Sequence, residues 1–100
     1  MQLCQLIKSH AATGVQNLDL SGNKITDNGI IHICKALSES QIERLVISQN
    51  KLTEKCCEHL TGALMRNKHL KTLMMQDNQI NSRVAKNKLI NSLKKMDVVI

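Results

Sequence analysis

The sequence predicts an α/β solenoid, with short parallel strands on one side, helices on the other, and each strand–turn–helix unit stacked on the next. Three observations predict it. The segments VQNLDLSGNKI (15–25), IERLVISQNKL (42–52) and LKTLMMQDNQI (70–80) align column for column, 27 and then 28 residues apart. Each is followed by apolar residues at helical spacing. The chain also has no Phe, Trp, Tyr or Pro, so its core must consist of many similar aliphatic and thiol contacts rather than a few aromatic anchors. A regular, repetitive structure meets that demand.

The strand columns come first. Val15, Ile42 and Leu70 share one, Leu18, Leu45 and Leu73 the next, and Leu20, Ile47 and Met75 the third. Alternation along a strand turns Leu18 and Leu20 inward and leaves Asn17, Asp19 and Ser21 on the opposite face. Just past each strand stands an asparagine: Asn23, Asn50 and Asn78. Its amide and carbonyl can serve backbone groups of its own turn and of the adjacent one, groups that would otherwise be buried unpaired. The three form a structural ladder along the stack, and Ile25, Leu52 and Ile80 close the columns.

The helices follow. After Thr26-Asp27-Asn28 come Ile30, Ile33 and Leu37; after Thr53-Glu54-Lys55 come Cys57, Leu60 and Leu64. After Asn81-Ser82, Leu89 and Leu93 fit the same pattern once one residue is inserted. The Thr, Asp, Asn and Ser residues before each run are expected to accept hydrogen bonds from the free N–H groups of a helix start. The resulting units are 15–41, 42–69 and 70–97, the last with a basic helix. Residues 1–14 read as a helix from a partial N-terminal unit, and 98–100 as the start of a terminal strand with Val98 and Ile100 in alternation. No polar cap is evident at either end, so the end faces are expected to be covered by further repeats or by another subunit.

The pattern L-x-x-L-x-L-x-x-N-x-I/L, with a helix in every 27–28-residue unit, resembles a leucine-rich repeat over residues 15–93. More specifically it resembles the ribonuclease-inhibitor-like class, through the small residue opening the helix (Gly29, Cys56) and the Ala-Leu closing it (Ala36-Leu37, Ala63-Leu64). The resemblance implies a short horseshoe arc, with a parallel sheet on the concave side and helices on the convex side. It also implies the functions in which that class occurs: inhibitors, sensor arms of innate-immune receptors, cytoskeletal and ciliary proteins, and GTPase-activating proteins.

Several function classes lose support on chemical grounds. No apolar run approaches the ~20 residues that span a bilayer, and the N-terminus lacks a basic segment followed by an apolar one. The location expected is cytoplasmic, with a cytoskeletal or ciliary assembly among the possibilities. Cys4, Cys34, Cys56 and Cys57 contain no C-x-x-C and read as reduced, buried thiols. The run Cys56-Cys57-Glu58-His59, with His32 and Cys34, has metal-ligand chemistry, but its columns are packing positions and its spacing is poor. The same columns argue against a cysteine nucleophile, and no G-x-S-x-G, phosphate loop or H-E-x-x-H is present. Neither catalysis nor a cofactor is expected.

Partner binding is what remains. The net charge is +6, and all of it lies from Arg66 onward. Before that point Lys/Arg and Asp/Glu balance. Lys86, Lys88, Lys94 and Lys95 either solvate an outer helix or dock an acidic protein, and the second reading is favoured. Nucleic acid would meet the positive charge but no aromatic platform for its bases. On the outward sheet face the middle column runs Asp19, Val46, Met74. Arg44, Val46 and Met74 are therefore candidate contacts on a surface free of backbone obligations. The favoured function is a protein–protein interaction module or scaffold subunit of a larger intracellular assembly. The alternatives are a GTPase-regulatory repeat protein and electrostatic binding of nucleic acid.

Overall fold

A computed structural model of the chain describes residues 17–100. Val15, Cys4 and the helix expected over 1–14 lie outside the described residues. Four strands, β1 (Asn17–Asp19), β2 (Arg44–Val46), β3 (Thr72–Met74) and β4 (Asp97–Val99), lie in that order in one parallel sheet. The strands alternate with the helices α1 (Thr26–Glu39), α2 (Lys55–Arg66) and α3 (Arg83–Ser92). β4 starts one residue before the segment the sequence assigned to it, because the Asp97 N–H already donates to Lys71 O at 2.8 Å.

Register follows the columns. Leu18, Leu45 and Leu73 pair across β1, β2 and β3, and Val98 continues the row. Their side chains meet Ile30, Ile33 and Leu37 of α1 and Leu60 and Leu64 of α2 in one core. Each fully buried Leu or Ile stabilises by roughly 2 kcal/mol relative to an exposed one. In the third unit Ala85, Leu89 and Leu93 point inward at spacings of four, where α1 uses three and four. Only Leu89 within α3 is fully buried, so the inserted residue leaves this helix more lightly packed than its neighbours.

The asparagine column binds the units together, and it works in one direction. Asn50 Oδ1 accepts from the N–H groups of Asn23 (2.8 Å) and Ile25 (3.3 Å) in the unit before, while its Nδ2 donates to Leu20 O (2.9 Å) and Ser48 O (3.0 Å). Asn78 repeats this one unit later, accepting from Asn50 N (2.8 Å) and Leu52 N (3.1 Å) and donating to Ile47 O and Met75 O. Asn23 Nδ2 donates to Leu20 O and Ser21 O of its own turn. Exposure is graded: Asn50 is fully buried, Asn78 half-buried and Asn23 exposed.

A second column, at the opposite ends of the strands, closes the helix C-termini, whose last carbonyls lack partners within the helix. Ser40 Oγ donates to Leu37 O at 3.0 Å. Asn67, buried in the same column one unit on, donates to Leu37 O at 2.8 Å and accepts from His69 N and Leu70 N. Lys95 takes the third position, its ammonium reaching Met65 O (3.1 Å) and Asn67 O (2.6 Å) at the end of α2.

The expected helix N-caps form in part. Ser82 Oγ accepts from Ala85 N in α3, and Thr53 Oγ1 accepts from Lys55 N. The N-cap residues of α1 and α2 make no side-chain cap. Asp27 is committed elsewhere: its carboxylate accepts from the N–H and hydroxyl of Thr53, in the next unit, at 2.9 and 2.5 Å. Stacking takes the group that local capping would have used.

One column of the turns is left-handed in all three units, Gly22 (φ +72°), Gln49 (φ +56°) and Asp77 (φ +61°), and the first two turns add Lys24, Thr26 and Lys51 in that conformation. Only the first unit has the residue that tolerates it without strain. Gln49→Gly is therefore expected to stabilise by about 0.5–1 kcal/mol, and Gly22→Ala to destabilise by about 1 kcal/mol. Urea unfolding measures both. Asn50→Ala leaves buried backbone groups on two turns unpaired and is expected to cost about 3 kcal/mol or more. In the same titration Asn23→Ala loses about 1 kcal/mol and Lys94→Ala falls within about 0.5 kcal/mol of the parent.

Candidate functional site

The outward face of the sheet carries three rows of side chains, set by the strand register. The first is Asn17, Arg44, Thr72, Asp97, and the second is Asp19, Val46, Met74, Val99. Ser21, Ser48 and Gln76 continue past the strands. Because the backbone is already paired between strands, these side chains carry no structural duty of their own.

Among the candidates on this face, Arg44 is exposed and Met74 half-buried, and the structure brings them together: Arg44 Nη2 lies 3.0 Å from Met74 Sδ. Val46 requires a correction. Expected as an exposed contact, it is 8% exposed. It sits between Asp19 and Met74 in its row. Val46 is thus the floor of the face, and Met74 and Val99 its accessible apolar surface. Val99 is 37% exposed, and Asp97 is exposed as well. Sequence reasoning missed both, although an inward Val98 implies that its two neighbours face outward.

Charge on the face is mixed. Asp19 accepts from the Ser21 hydroxyl (2.6 Å) and Ser21 N–H (2.9 Å). Those bonds, helped by Arg44, hold its carboxyl below the ordinary aspartate range. Two aspartates, Asp19 and Asp97, bracket the apolar row, with Arg44 between them.

The basic candidates do not converge on one surface. Lys88 and Lys94 are exposed and Lys86 is half-buried. Lys88 lines a groove of about 480 Å³ between α2 and α3, together with Glu54 and Glu58. Lys95 is exposed as well, and its ammonium also closes the end of α2. The helix C-terminus, with its partial negative charge and free carbonyls, holds the cation where the chain passes it.

The cysteines are packing groups. Cys56 and Cys57 are buried and Cys34 half-buried, all as free thiols. A hydrogen bond to Cys57, with burial added, holds Cys56 protonated well above the ordinary thiol range. Burial alone pushes Cys34 up. Among the described residues no three His, Cys, Asp or Glu side chains gather as metal ligands. No helix among them is long and apolar enough to cross a membrane.

The comparisons with known proteins agree with this geometry. A family model described as "Leucine Rich repeat" matches residues 15–34 and 66–83. No curated protein matches the sequence. Among solved structures, one titled "Leiomodin-1 Actin-Binding Site 2 (ABS2)" is similar, with a TM-score of 0.82 at 19% identity over 97% of this chain. The chain spans 60% of that structure's length. At that identity the likeness is one of fold: an α/β stack of leucine-rich repeats.

Two outcomes follow from the site. Carbon-detected titration of Asp19 is expected to show a midpoint below the ordinary aspartate value, and Ser21→Ala to raise it toward that value. The lowered value means that any stability from Asp19 is present above its unfolded-state pKa and fades as pH falls through the folded one. Lys95→Met, which keeps the aliphatic stem, is expected to lose about 1–2 kcal/mol of stability in urea, whereas Lys94→Met loses less than about 0.5 kcal/mol.

Proposed function

We propose that this leucine-rich-repeat chain is a non-catalytic protein-interaction module, a small scaffold component of an intracellular assembly that takes its partner on the open face of its sheet. One observation carries the reading. Four short strands hold Met74 and Val99 accessible over a floor of Val46, with Asp19, Arg44 and Asp97 around them. An apolar centre ringed by charge is the usual anatomy of a protein contact. The pairing between strands keeps that face rigid without drawing on its side chains.

A cytoskeletal setting is the first to test, because a solved structure of this fold is titled an actin-binding site. Lys88 and Lys94, with the half-buried Lys86, add a salt-sensitive contact for acidic groups of the partner. No aromatic residue stands ready to stack on a base, so nothing favours nucleic acid over protein.

The test is co-sedimentation with filamentous actin, together with anisotropy against monomeric actin. With the parent chain bound, Met74→Asp and Val99→Asp are each expected to weaken binding about tenfold or more, near 1.4 kcal/mol. Lys94→Glu changes affinity less than about threefold, and mostly at low salt. Loss with Lys94→Glu but not with Met74→Asp would move the contact to the basic end and overturn the face assignment. Absence of binding by the parent chain removes actin as the partner.

A further inference from the structure

Where the helices end and the next strands begin, the connections α1–β2, α2–β3 and α3–β4 form a rim along one side of the stack. The rim runs in the stacking direction, so a unit added at either end lengthens it without covering it. Arg66 and Lys68 show this, being exposed with a unit on each side of their own.

Charge on the rim is sorted by unit. The end of α1 and the connection after it bring Glu39 and Glu43, whereas the two later units bring Arg66, Lys68 and Lys71, then Lys94 and Lys95. Contact between units gathers these cations. Lys95 Nζ donates to Met65 O and Asn67 O, which sets Lys94 and Lys95 against the backbone that carries Arg66 and Lys68. Lys71 marks the border with the acidic unit, its ammonium 3.5 Å from Glu43 Oε1. Arg66, Lys68 and Lys94 are exposed and make no ion pair among the described residues. Asp97, the nearest carboxylate in sequence, stands on the open face of the sheet.

Helix ends attract cations, but the fold does not require one at Arg66. Glu39 occupies the same place in α1, as the last residue of its helix. Both helices then close alike, Ser40 N–H donating to Leu37 O and Asn67 N–H to Leu64 O, each at 3.2 Å. An acid serves that position as well as a base does. Lys95 is used in closing α2, and the remaining positive charge on the rim is not accounted for by the fold. Like charges held close together repel, and an anion laid across them relieves the repulsion.

We infer that this rim is a second docking site, apart from the open face, for an extended acidic segment of a protein partner, a run of Asp and Glu lying across Arg66, Lys68 and Lys94. The Arg66 guanidinium offers a fork that a carboxylate meets with both oxygens, and the two lysines act as point charges beside it. A segment of chain fits better than a flat anionic surface, because a bilayer laid against the rim would also meet Glu39 and Glu43. The inference rests on the reading of the chain as an interaction module. Its contact excludes Arg83, Lys86 and Lys88, which lie toward the start of α3 and away from the rim.

The probe is an oligoglutamate peptide, titrated into the isotope-labelled chain and followed by amide NMR. Vesicles of phosphatidylcholine with about 30% phosphatidylserine are the second anion. The expected result is saturable shifts at Arg66, Lys68 and Lys94 that weaken as salt rises, with tighter binding to the peptide than to the vesicles. The double variant Arg66→Glu/Lys68→Glu is expected to bind the peptide about tenfold more weakly or worse. Arg83→Glu/Lys88→Glu, which changes net charge by the same amount, is expected to shift affinity less than about threefold. Amide spectra check that both variants fold, and Arg66→Gln/Lys68→Gln against Arg83→Gln/Lys88→Gln repeats the comparison if either does not. Equal losses from the two pairs, or no saturable shift at the rim, would reduce the contact to net charge and overturn the inference. Tighter binding to the vesicles would assign the rim to a membrane surface and overturn the partner reading. Met74→Asp is expected to leave peptide binding within about threefold of the parent, so this inference and the open-face reading fail separately. A larger loss with Met74→Asp would place the peptide on the open face and overturn the rim site.

Discussion

A single side-chain carbonyl accepting two backbone N–H groups from the unit before it is the contact on which the rest of this fold depends. The strands are three residues long, too short for their own hydrogen bonds to hold a sheet against the entropy of ordering the chain. Each turn that follows must fold back beneath the sheet and bury peptide groups as it does so. Asn50 and Asn78 satisfy those groups from the neighbouring unit. Folding of the first two turns is thereby coupled to the unit that follows each. Asn67 and Lys95 do the corresponding work at the opposite ends of the strands, and the aliphatic core lies clamped between the two columns.

That arrangement separates stability from recognition. The inward rows and both columns of inter-unit bonds leave the outward side chains unconstrained, and the chain uses the freedom unevenly. β1 presents polar groups, while β3 and β4 present Met74 and Val99. The thiols illustrate the opposite case. Cys56 and Cys57 occupy helix positions filled by Gly29 and Ile30 one unit earlier, and burial leaves them the chemistry of small hydrophobes.

Much of the architecture was legible in the sequence, and the reason is repetition. A leucine or asparagine that recurs in three aligned segments reveals its role without reference to any one segment. What stayed hidden was function kept while residue type changed. Ser40, Asn67 and Lys95 close helix ends from one column with a hydroxyl, an amide and an ammonium, and nothing in their identities marks them as equivalent. Gly22, Gln49 and Asp77 share a backbone conformation in the same way. The site was legible in outline only. The outward face and Arg44 with Met74 follow from strand alternation. Burial of Val46, however, depends on its three-dimensional surroundings and not on strand alternation, and Val99 belongs to a strand with no aligned counterpart to announce it.

The direction of the asparagine column has a consequence for how such a chain can change over generations. Every joint on that side presents the same interface, an amide from one unit and two N–H groups from the unit before. A unit gained or lost by duplication or deletion of a gene segment meets a compatible neighbour at both cuts. The helix-end column lacks this property, because Lys95 can reach Met65 and Asn67 only where the chain after α3 carries it past them. Through Asn67 and Lys95 that column ties the middle unit to both of its neighbours.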